Sequence, residues 1–88
     1  KMNEEQLATL GTDAETLLNT EVFTRTINSL VDATMQAFLG SAPDEEAKRE
    51  KAYSHYNALV DIVNTLKQQV EVRDQIDAKV NEVTTEEE

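Results

Sequence analysis

Gly11, Gly40 and Pro43 are the only glycines and the only proline in this 88-residue chain. Glycine and proline are the strongest local breaks in regular structure. With so few of them, the runs between are long, and helix formers dominate those runs, with no strand-turn-strand pattern. The expectation is an all-α fold: an antiparallel helical hairpin of two long helices, a short N-terminal helix, and a kinked or frayed C-terminal helical extension.

The breaks set the expected boundaries. Gly11 and Gly40 each stand where a helix would stop at a residue of positive φ. Thr12-Asp13-Ala14-Glu15 then has the form of a capping box opening a short helix over residues 13–19, which presents Leu17 and Leu18. Asn19-Thr20-Glu21 reads as a second cap or a slight bend. The next helix spans residues 21–39. Phe23, Ile27, Leu30, Thr34 and Ala37 recur at spacings of 4, 3, 4 and 3, and Val31, Met35 and Phe38 widen the stripe into one broad apolar face.

The stretch GSAPDEEAKREKAYSHYNAL holds the only Pro, the only His and both Tyr of the chain, and it reads as a helix start. Ser41 or Ala42 caps, Pro43 fits the first turn, and Asp44, Glu45 and Glu46 meet the positive end of the helix dipole. Glu45 and Arg49 form an i,i+4 pair with the acid first. Beyond the charges, Tyr56, Leu59, Val63, Leu66 and Val70 repeat at 3, 4, 3 and 4, a heptad seam with Tyr53, Val60 and Ile62 beside it. A loop of about 2–4 residues favours antiparallel neighbours, so residues 21–39 and 43–70 form the core hairpin of a single helical domain over 1–83.

Arg73 and Asp77 occupy the next seam positions, and β-branched residues crowd the region. A kink, or a break near Val72–Asp74 with a weaker helix after it, is therefore expected. Residues 84–88 read as a frayed acidic tail. From Asp74 onward six acids face one base, Lys79, a net charge of -5 out of the chain's -10.

A helix over 43–72 would be about 45 Å long, against roughly 30 Å across a compact globule of this length. Its later apolar residues need a surface, and a two-helix hairpin rarely buries enough by itself. A homo-oligomer is the expectation. Its interface residues are Phe23, Ile27, Leu30 and Val31 on the first long helix, with Tyr56, Leu59, Val63, Leu66, Ile76 and Val80 on the second.

Several chemistries have no residues to carry them. There is no Cys, hence no disulfide, thiolate nucleophile or thiolate zinc site. The only His, His55, has Ala52 three residues before it rather than the Glu that a di-iron helical bundle uses. No phosphate loop or calcium loop is spelled out. Neither an enzyme nor a cofactor or metal is expected. Lys48, Arg49 and Lys51 are interleaved with Glu45, Glu46 and Glu50, so direct nucleic-acid contact is not expected. No window resembles a membrane span. The start, Lys1-Met2-Asn3-Glu4-Glu5, lacks a basic then apolar secretory pattern, so the expected compartment is the cytoplasm, or a particle assembled there.

The segments LLNTEVFTRTINSL and SAPDEEAKREKAYSHYNALVDIVNTL, within residues 17–66, together resemble a loose family of small helical proteins of tailed bacteriophages. That family is associated with head assembly and DNA packaging. The resemblance implies a role in particle assembly and carries no catalytic residue. The first functional expectation is a non-enzymatic oligomerisation or interaction module, whose acidic C-terminal segment engages a basic protein. One alternative is an acidic inhibitor or decoy that mimics nucleic acid toward a basic host protein. Another is a small packaging subunit that recognises DNA as a ring.

Overall fold

The computed structural model describes the backbone of residues 1–87 and the side chains of residues 1–82. It holds three helices and, among the described residues, no strand: α1 (Glu4–Leu18), α2 (Glu21–Leu39) and α3 (Glu46–Glu87). The all-α class, with one short and two long helices, is as expected. The chain divides into two compact units, residues 1–19 with 64–88 and residues 20–63. The first joins α1 to the later part of α3. The second joins α2 to the earlier part.

In the first unit α1 is one unbroken helix, and Gly11 lies in its interior rather than at a stop. The capping box is at the true start: the Gln6 amide donates to Asn3 Oδ1 at 2.8 Å, and the Asn3 amide donates to Gln6 Oε1 at 3.0 Å. Thr12 does not cap. Its hydroxyl donates to the Ala8 carbonyl, a bond available to threonines inside helices. Gly11 is there because of its neighbour. Leu7, Gly11, Ala14 and Leu18 recur at 4, 3 and 4, and Gly11 and Ala14 are buried. A Cβ on Gly11 would fall against the Arg73 Cβ and 2.6 Å from the Gln69 carbonyl oxygen. The two backbones approach too closely for any side chain at this point.

The helix facing it is unbroken as well. α3 continues through Val72–Asp74 to Glu87, so the break expected there is absent. Leu66, Gln69, Arg73 and Ile76 keep the 3, 4, 3 spacing, and all four are half-buried. Arg73 does not interrupt the stripe. It belongs to it, in the room left by Gly11. The pairs Glu4 with Lys79 and Gly11 with Gln69 and Arg73 run in opposite directions along the two helices, so α1 and this part of α3 are antiparallel. The expected acidic tail over 84–88 has its side chains, and all of Glu88, outside the described residues.

In the second unit α2 and the earlier part of α3 form the helical hairpin. Gly40 ends α2 as expected, but at φ -84° rather than a positive angle. Its amide donates to the Gln36 carbonyl and the Ser41 hydroxyl to that of Phe38. The connection, residues 40–45, is longer than expected, and Pro43 lies in a turn before α3 rather than in its first turn. Of the three acids, only Glu46 is in that first turn. The Ala42 amide donates to Glu45 Oε1 at 2.7 Å, and the Arg49 guanidinium donates to the Ala42 and Pro43 carbonyls at 2.7 and 3.2 Å. The expected Glu45–Arg49 pair is replaced: Glu45 meets Lys48 at 3.9 Å, and Arg49 closes the loop. A planar guanidinium reaches several diverging carbonyls at once, which explains this choice.

Candidate interaction surface

The first unit is held by a polar contact at its centre. Arg73 Nη1 and Nη2 donate to the two carboxylate oxygens of Glu15 at 3.0 and 3.1 Å, a two-pronged bond. Asp74 Oδ1 accepts from Nε and Nη2 at 3.1 and 2.8 Å, and Asp77 stands 4.0 Å away. The Arg73 side chain is 14% exposed, so its charge sits in a largely enclosed place and needs these acids. Its hydrogen bond to Glu15 holds that carboxyl below its usual value and holds the guanidinium firmly protonated. This contact fixes α1 in place, and its acids are committed to it.

The second unit presents the surface with spare capacity. Ala52 and Leu59, seven residues apart on α3, are its buried apolar side chains among the described residues. Tyr56 and Tyr53 lie four and one residues after Ala52, turned about 40° and 100° to one side of it. Lys48 and Lys51 lie four and one residues before it, turned equally to the other. The same symmetry holds on α2 around half-buried Thr34. Phe38 and Met35 turn to one side, Leu30 and Ala33 to the other.

A hollow of about 410 Å³ fixes which sides meet. Its apolar lining is Leu30, Ala33, Ala37 and Ala52, with Lys48, Lys51 and His55 among its polar residues. Antiparallel helices pair like flanks, so Val31, Met35 and Phe38 share the opposite flank with Tyr53, Tyr56 and Val60. That second flank is aromatic and left open. Met35 is 44% exposed, Phe38 41%, Tyr53 61% and Tyr56 36%.

The expected interface residues divide accordingly. Leu59 is buried in the hairpin, and Phe23, Ile27, Val31 and Val63 are half-buried in the same unit, while Leu30 and Tyr56 are exposed. Leu66 and Ile76 are half-buried in the first unit, and Val80 there is exposed. Seven of these ten side chains belong to the second unit and three to the first. Met35, Phe38 and Tyr53 belong to the open flank and stand outside that set. They lie on the stripe edges at i+1 and i+4 from the buried positions, a signal the sequence carries.

Among the described residues no group of three His, Cys, Asp or Glu side chains is arranged to hold a metal ion. No helix among them is long and apolar enough to cross a membrane. No family model, no curated protein and no solved structure matches this chain.

Proposed function

We propose that the protein is a non-enzymatic self-association module, and that two copies meet through the aromatic flank of the helical hairpin. The observation that carries this reading is the exposure of Met35, Phe38, Tyr53 and Tyr56 along one side of a single unit. Tyr, Phe and Met are the residue types enriched where proteins meet. An aromatic side chain offers about 150–250 Å², so these four leave roughly 350 Å² open per copy. Pairing two such flanks covers about 700 Å² from these residues alone, toward the roughly 1,600 Å² of a standard interface. Val31, Val60 and the polar residues around them supply further contact.

The setting we propose is particle assembly in a tailed bacteriophage, and it is supported by the resemblance of residues 17–66 alone. The chain offers its own probe of the first claim. It has two Tyr and no Trp, and both Tyr lie on the proposed interface. Tyrosine fluorescence, and dichroism read in the tyrosine band rather than the phenylalanine band, therefore report this flank. The signal should change on dilution as copies separate, and Met35→Glu with Phe38→Glu, which keep both Tyr, should hold it at the diluted value while leaving helicity intact. A tyrosine signal independent of both concentration and these substitutions removes the reading.

A further inference from the structure

The flank of the hairpin opposite the aromatic one has a different chemistry. The 410 Å³ hollow over Leu30, Ala33, Ala37 and Ala52 adjoins a second, of about 340 Å³, that shares Leu30 and is bordered by Val22, Thr26 and Arg25. The floor is made of small and branched apolar side chains. The edge is basic. Residues 20–63 carry seven acids and four Lys or Arg. Three of those four bases, Arg25, Lys48 and Lys51, line the two hollows, and none of the seven acids does.

The bases are largely uncommitted. Lys48 meets Glu45 at 3.9 Å and Arg25 meets Glu21 at 3.8 Å, both in solvent-exposed pairs, which contribute little. Lys51 and His55 form no ion pair among the described residues. In a chain of net charge -10, this flank is a segregated basic edge above an apolar trough.

We propose that this groove binds an acidic amphipathic helix of a partner protein, laid along α2 with its apolar side on the alanine floor and its carboxylates toward Lys48, Lys51 and His55. Charge complementarity selects the sign, and the floor selects the kind of partner. A phosphate backbone needs hydrogen-bond donors where this groove presents methyl groups. A helix has both parts at the right spacing. Lys48, Lys51 and His55 follow each other at 3 and 4 residues, one stripe over two turns, so acids at i, i+4 and i+7 of a partner helix match them. The small side chains of Ala33, Ala37 and Ala52 let the partner's backbone approach closely. From Val22 to Ala37 the trough is about 22 Å long, enough for about fifteen helical residues. This proposal does not depend on self-association, which uses the other flank.

The probe is a labelled synthetic helix of about that length, with Leu on one face and Glu beside it, titrated with the full chain by fluorescence anisotropy. A Lys-for-Glu version is the control. The acidic helix should bind, the basic one should not, and Lys48→Glu with Lys51→Glu should weaken binding roughly tenfold or more. Lys48→Gln with Lys51→Gln should weaken it less, and both pairs should keep the helicity and tyrosine signal of the parent. Equal binding of the two peptides, or binding indifferent to both double variants, overturns the proposal. So does displacement of the acidic helix by single-stranded DNA or anionic vesicles at lower concentration than by unlabelled peptide. A fall in the chain's own mass on charge reversal also overturns it, because the occupant is then a second copy.

Discussion

Gly11 has two opposed preferences acting on it. Inside a helix, alanine is better than glycine by about 1 kcal/mol. At this site a Cβ has no room between the Arg73 Cβ and the Gln69 carbonyl, and overpacking costs about 1–3 kcal/mol. Packing wins, so Gly11→Ala should lower the urea midpoint of unfolding, and a raised midpoint would show that the close approach is not there. The acid beside it gives a pH test. The Glu15 carboxyl is held below its usual value near 4.5 by the Arg73 hydrogen bond. A group whose folded pKa is depressed stabilises fully above its unfolded pKa, and that stability is lost as pH falls through the folded value. The melting temperature should therefore decline below about pH 4.5, and Glu15→Gln should flatten that part of the decline. Identical acid profiles for the two proteins would contradict the assignment. In the other unit, Leu59→Ala removes a buried side chain and should cost about 2 kcal/mol, the low end for such cavities, or roughly 8–16 °C in melting temperature.

Helix content was legible in the sequence because stripes at 3 and 4 spacing need only a residue's class. Boundaries were less so, and the failures have one physical source. Gly11 read as a stop and Arg73 as a slip because each was judged against its own helix. They are two sides of one contact, a missing Cβ opposite a long side chain, and the 3.6-residue period of a single helix does not contain that fact. The small stripe Leu7, Gly11, Ala14 and Leu18 was the available clue. The connection before α3 shows the same limit. Proline and acids there do favour a helix start, but Arg49 reaches back to the Ala42 and Pro43 carbonyls, and those residues fold as a closed turn instead. Arg49→Ala should cost about 1.5–3 kcal/mol as charged hydrogen bonds are lost, and Arg49→Lys should restore only part, since an ammonium lacks the fork. Full recovery by lysine would reduce the role to charge. As α3 passes unbroken through Val72–Asp74, its amides there should exchange with deuterium as slowly as those one turn before. Rapid exchange confined to those residues would contradict a continuous helix.

For the molecule as a whole, the proposals concern surfaces. The largely enclosed Arg73 side chain is occupied in holding α1, and the two surfaces on which the proposals rest are the flanks of the hairpin. One flank is aromatic, the surface we propose meets a second copy, and the other is basic over alanine, the surface we propose takes an acidic helix. The interface expected from the seam mixed buried hairpin residues with exposed ones, because a stripe pattern reports that a position faces another helix and not whether that helix belongs to the same chain. Self-association is the central claim, and the solution mass by light scattering, at low and high salt over a wide range of concentration, tests it most directly. Association through the aromatic flank predicts a mass that approaches twice 9.9 kDa at high concentration, falls toward 9.9 kDa on dilution, and is not lowered by high salt, since apolar burial is not screened. A mass of 9.9 kDa at every concentration and both salts would contradict it.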